Sequence, residues 1–134
     1  MTSVSVDTPL PDYLRATTGL RSWLTTTDHK RIGILYLGSM IPFFVVAVAT
    51  AIMFRLELFS PGEQFISNDV YNRFITVHGV IMIFLFIIPG IPAVFGNFFL
   101  PILIGADDVA FPKINLLSWY CYVGGALLAL LSVA

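Results

Sequence analysis

FITVHGVIMIFLFIIPGIPAVFGNFFLPILIGA, residues 74 to 106, is a run of 33 residues without Asp, Glu, Lys or Arg. As a helix rising about 1.5 Å per residue it would measure roughly 50 Å. The hydrocarbon core of a bilayer is only about 30 Å thick. The run therefore predicts a membrane-spanning helix with length to spare. The excess must be taken up by tilt, by extension beyond the lipid, or by bending at Pro89, Pro92 and Pro101.

Working outward, Ile32 to Phe54 is a second uncharged run of 23 residues, and Ile114 to Ala134 a third of 21. We place the spans at about residues 32–54, 74–104 and 114–134. The composition agrees. The chain is 57% hydrophobic and 11% charged, whereas soluble domains carry about 25% charged residues. The expected fold is all-α, an integral membrane helical bundle. The third run ends at Ala134 with neither a polar flank nor a C-cap, so the three spans are expected to be the first of a larger bundle. Gly79, Gly90, Gly96, Gly124 and Gly125 are small sites suited to close helix contacts.

Residues 1–27 read as an N-terminal arm, with a short interfacial helix over Tyr13 to Trp23, and residues 28–134 as the membrane segment. Asp28 or Thr27 offers an N-cap for the first span. No apolar signal-peptide core precedes that span, which is expected to act as the insertion signal itself. Arg15, Arg21, Lys30 and Arg31 precede span one and Lys113 lies between spans two and three. The loop between spans one and two holds Arg55 and Arg73 among Glu57, Glu63 and Asp69. Positive residues favour the inside, so the N-terminus is placed in the cytoplasm. A net charge of −1 argues against nucleic acid and against a polybasic surface binder. A single cysteine, Cys121, allows no internal disulfide and reads as a core or lipid-facing residue.

His78 sits inside the second span, about 7 Å along the axis from Arg73. A buried polar group in lipid needs a partner. The imidazole can hydrogen-bond across helices, or its neutral form can ligate haem iron. Gly79 leaves room beside the ring, and Thr76, Met82 and Phe84 suit a pocket wall. Arg55 closes the first span at a similar depth. It is a snorkelling anchor, or a guanidinium at a haem edge that would raise the reduction potential. Asp108 lies roughly 45 Å of helix away, in the loop on the other side. It is a solvated acid, or one that collects protons above water ordered by Asn97 and Asn115. His29, in the polar TDHKR stretch, reads as a surface residue.

The stretches TTTDHKRIGILYL, FRLEL and TVHGVIMIFLFIIPGIPAVFGNFFLPILIGADDVAFPKINLLSW, in this order and spacing, resemble the N-terminal part of subunit I of the haem–copper oxygen reductases of the cytochrome c oxidase type. The likeness covers about residues 26 to 134. Such subunits have about twelve helices or more. The resemblance implies that His78 is an axial ligand of the low-spin haem, expected to be haem A, and that Arg55 hydrogen-bonds a haem substituent. It implies proton uptake at Asp108, with Asn97, Asn115 and Tyr36 near the mouth of that path. It also implies a peripheral calcium or sodium site at Glu57 and the backbone of Gly62. The second haem and the copper would be held by residues elsewhere in the full subunit, so this segment alone is not catalytic. The implied partners are the rest of subunit I, oxidase subunits II and III, cytochrome c and the lipid bilayer. The bacterial plasma membrane is favoured over the mitochondrial inner membrane.

Two positions depart from the family pattern. Leu116 stands where a second asparagine is common, and Asp107 where a proline is usual. Asp107 adds negative charge beside Asp108. Quinol-oxidising relatives look to carry Arg and Asp where this chain has Val46 and Thr50, and His and Gln where it has Val70 and Arg73. Cytochrome c is therefore the expected donor. The rival readings are a quinol oxidase of the same architecture and a non-enzymatic three-span scaffold.

Overall fold

The computed structural model describes residues 19–131. The described residues form a short helix α1 (Leu20–Leu24) and three long ones: α2 (His29–Glu57), α3 (Asn68–Ile104) and α4 (Pro112–Leu131). Helices α2, α3 and α4 are each long and apolar enough to cross a membrane, and no strand occurs among the described residues. Most of the Tyr13–Trp23 helix expected from the sequence lies outside the described residues; α1 covers only its last part and ends at Leu24.

Helix α2 begins where the sequence offers a cap. The Asp28 carboxylate accepts from the backbone N–H of Lys30 at 2.8 Å and of Arg31 at 3.2 Å, satisfying donors that a helix start leaves unpaired. At 29 residues it is roughly 44 Å long, more than the thickness of a hydrocarbon slab. The second span starts at Asn68, six residues before the uncharged run. Asp69, Asn72 and Arg73 are helical although the run excludes them. A charge halts an apolar run, yet it does not halt helical hydrogen bonding outside the lipid.

Helix α3 changes helical type along its length. Residues Ile81–Ile87 and Gly90–Phe95 are π-helical, on either side of Pro89. Pro89 has no N–H to give the carbonyl four residues earlier, which belongs to Leu85. That carbonyl accepts the Tyr122 hydroxyl of α4 at 2.8 Å. Borrowed donors of this kind make proline tolerable in a membrane helix. Helix α3 stops at Gly105, whose left-handed φ of 67° caps it with bonds to Ile102 and Pro101, a conformation glycine adopts without a Cβ penalty. Pro112 opens α4, where a missing N–H removes nothing from the ladder.

Two apolar clusters hold the three helices together. Phe43, Ala47, Val77, Ile81, Leu85 and Ala126 form one; Ile32, Tyr36, Met40, Val94 and Trp119 form the other. Helix α3 packs tightly on α2 at Gly33, where an added Cβ would lie 3.0 Å from the Phe98 ring. Of the five glycines expected at helix contacts, Gly90 faces Met40, with 3.2 Å available for a Cβ. Gly96 has ordinary contact only, and Gly79, Gly124 and Gly125 face open space. The outward faces are strongly apolar, with Val45, Ile52, Ile83, Ile91, Leu103 and Leu128 exposed. Such faces suit lipid or further helices, not water.

Candidate functional site

The two ends of the bundle carry different chemistry. At the end near the 58–67 loop, His78 reaches across from α3 to α2. Its Nδ1 lies 2.8 Å from the carbonyl oxygen of Ala47. A carbonyl only accepts, so Nδ1 must carry the proton, which leaves the Nε2 lone pair of a neutral ring uncommitted to that bond. The Thr50 hydroxyl donates to the same Ala47 oxygen at 2.8 Å. Phe54 meets the imidazole edge-on, with ring centroids 5.5 Å apart.

His78, Arg55 and Met82 line one groove of about 410 Å³, walled by Val48, Ala51, Ile52, Leu56 and Phe59. The sequence reasoning brought His78 and Arg55 to similar depth, and the structure puts both in this groove. Met82 belongs to the wall; Thr76 and Phe84 do not. Thr76 bonds back to its own helix at Asn72, and Phe84 points outward, 60% exposed. Beside His78, Gly79 has open space. A nitrogen lone pair, apolar walls and a cation at the margin are what a flat, partly anionic macrocycle with a central metal requires. The residues present fit a haem.

Next to the groove, the 58–67 loop folds over Glu57. Its carboxylate accepts from the backbone N–H of Gln64, Phe65 and Ile66. Gly62 turns with φ 94°, and both residues line a cavity of about 580 Å³. Both carboxylate oxygens thus face N–H donors.

At the opposite end lies a file of polar side chains between α2, α3 and α4. Asn97 is 4% exposed. Its amide exchanges hydrogen bonds with that of Asn115, and its Nδ2 also donates to the Ala93 carbonyl at 2.6 Å. Asn115 separates two cavities. One, of about 290 Å³, lies under the Val109–Phe111 loop; the other, of about 350 Å³, is walled by Tyr36, Ser118 and Tyr122. Tyr36 and Ser118 share a 2.7 Å hydrogen bond between hydroxyls.

Asp108 stands at the outer edge of this file, and it is not alone. His29 Nδ1 lies 2.7 Å from Asp108 Oδ1. The expectation of a surface histidine is corrected here: His29 is 6% exposed. Its polar sequence neighbours cap the helix, while the ring itself turns in under the loop that carries Asp108. Ser118 and Tyr122 were also missed. Tyr122 lies in an otherwise apolar run, and the hydroxyl of Ser118 is an unremarkable residue type in a span. Ser118 donates to the Asn115 carbonyl of its own helix at 2.7 Å, and the facing helices supply the Tyr36 and Leu85 partners.

The family model described as "Cytochrome C and Quinol oxidase polypeptide I" matches residues 31–134. Proteins named "Cytochrome c oxidase subunit 1" from Corynebacterium efficiens and Corynebacterium glutamicum are each 46% identical over 112 residues, which is 80% of this chain and 19% of theirs. The chain thus spans about a fifth of the length of the curated relatives it matches.

Proposed function

The chain belongs to the cytochrome c and quinol oxidase polypeptide I family, and from that premise we propose that it forms the first three spans of the catalytic subunit of a terminal oxidase. In this reading the complex reduces oxygen to water with electrons from cytochrome c and moves protons across the membrane. The observation that carries it is the His78–Ala47 bond of 2.8 Å. It fixes the tautomer that leaves Nε2 basic, as carbonyl partners do for metal-ligating histidines.

His78 and Arg55 are the residues that would hold a low-spin haem. When bound, that group supplies reversible one-electron chemistry at iron. The chain's own part is to orient a neutral imidazole, to exclude water with the apolar groove walls, and to place a permanent cation at the margin. A cation there favours the reduced, less positive state.

Asp108 takes up protons from the cytoplasmic side, where the positive-inside pattern puts the N-terminus. Its neighbours Val109, Ala110 and Phe111 wall a cavity that the Asn97–Asn115 pair also lines. The amides hold the mouth, and the Ser118 and Tyr36 hydroxyls line the next chamber. Water ordered by such groups conducts protons, which a dry apolar interface does not.

The donor is tested by oxygen uptake of the purified complex with reduced cytochrome c and with a quinol. We expect uptake with cytochrome c. Uptake with quinol alone would assign the chain to the quinol branch.

A further inference from the structure

We propose that His29 is a positioning residue for proton uptake at Asp108; this rests on the uptake role proposed above. Four observations converge on the pair. The contact is short, 2.7 Å, and joins residues 79 positions apart. The histidine side chain is 7% exposed and the aspartate 47%, so a covered donor holds a carboxylate that water can reach. His29 is itself immobilised: it is the first residue of α2, directly after the Asp28 cap, and Asp28 N–H donates to the buried Thr26 hydroxyl at 3.2 Å. Finally, Asp108 Oδ1 also accepts from the Val109 N–H at 2.7 Å, and Val109 walls the cavity that reaches Asn97 and Asn115.

The consequence is mechanical. Both donors engage Oδ1, which leaves Oδ2 to take and release protons at the loop surface. Oδ1 couples the carboxylate to the start of the most extensively packed helix, and through Val109 to the cavity mouth. Without the imidazole, the 105–111 loop keeps its glycine turn and its proline restart but loses its tie to α2. The acid would then sample positions away from the mouth. Misplacement of a reacting group by about 1 Å can cost up to a hundredfold in rate.

The test uses the assembled oxidase with haem content measured alongside. Proton uptake is followed with a pH-indicator dye after flash-initiated reaction with oxygen. His29→Ala should slow uptake roughly tenfold with an unchanged haem spectrum. His29→Asn, whose Nδ2 keeps an N–H donor at the reach of Nδ1, should recover most of the rate. Adding His29→Ala to Asp108→Asn should slow uptake no further, because residues acting through one interaction are not additive. If the alanine enzyme assembles poorly, His29→Leu keeps the ring site filled and replaces it. Wild-type uptake in His29→Ala overturns the proposal. So does equal slowing in His29→Asn and His29→Ala, or full extra slowing on the Asp108→Asn background. Normal uptake in Asp108→Asn alone overturns the uptake role itself, a failure visible without any His29 variant.

Discussion

His78 on α3 donates its Nδ1 proton to the carbonyl of Ala47 on α2, 2.8 Å away, beside one of the two apolar clusters that join the helices. Ala47 is fully buried, and Val77 and Ile81 beside it are nearly so. A backbone carbonyl cannot rotate away, and here the Thr50 hydroxyl also engages it. The imidazole is therefore held by a rigid partner, and its free nitrogen is aimed by the packing of the helices, not by a flexible side chain.

The groove predicts a specific role for charge. Arg55 is the charged residue in the lining around His78. In the assembled enzyme Arg55→Met should keep the haem and lower its midpoint potential on the order of 60 mV, the one-electron equivalent of a tenfold change in the redox equilibrium. Spectroelectrochemical titration of the low-spin band measures this directly. An unchanged potential would assign Arg55 to membrane anchoring alone.

At the other end, the amide pair is a buried polar network whose members satisfy one another. Asn115→Leu removes half of it and leaves the Asn97 amide, 4% exposed, short of partners. A buried group left unsatisfied costs about 1–3 kcal/mol. We expect a lower thermal midpoint for the complex, together with proton pumping reduced more than oxygen uptake. Asn115→Leu in an enzyme that pumps normally would remove the amides from the proton path.

Glycine packing supplies a test of the fold alone. A Cβ on Gly33 would lie 3.0 Å from the Phe98 ring and 3.3 Å from Asn97 Cβ. Gly33→Ala should therefore destabilise the α2–α3 contact, on the scale of 1–3 kcal/mol typical of overpacking. Gly124→Ala, facing open space within these helices, leaves that contact unchanged. Thermal unfolding of the two variants, followed by loss of haem absorbance, distinguishes them.

These contrasts show what could be read from residue order. The spans were legible because lipid tolerates no charges, and an uncharged run of more than 20 residues has few other uses. Their ends were less so: Asn68 to Arg73 continues α3 through polar residues. His78 stood out because an imidazole in an apolar run requires a partner. His29 was read as a surface residue because its sequence neighbours are polar. Its actual partner, Asp108, lies 79 residues on, and only the return of the chain brings the two together. Gly33 was missed for a similar reason. A glycine's composition is visible, but the ring it faces is not.

The Asn97–Asn115 pair was foreseeable as neighbours, since a short loop joins the ends of α3 and α4 that carry them. Its exact complement of hydroxyls was not. Tyr122 donates to the Leu85 carbonyl that Pro89 leaves short of a donor, a link between three residues on two helices. Sequence reasoning weighs each of them separately.

The most direct measurement is the visible spectrum of the assembled oxidase carrying His78→Ala. Loss of the low-spin haem band, with the Asp108→Asn enzyme, altered at the opposite end of the bundle, as an assembled control, is the result expected if His78 binds the iron. An unaltered low-spin spectrum in the His78→Ala enzyme would contradict the account.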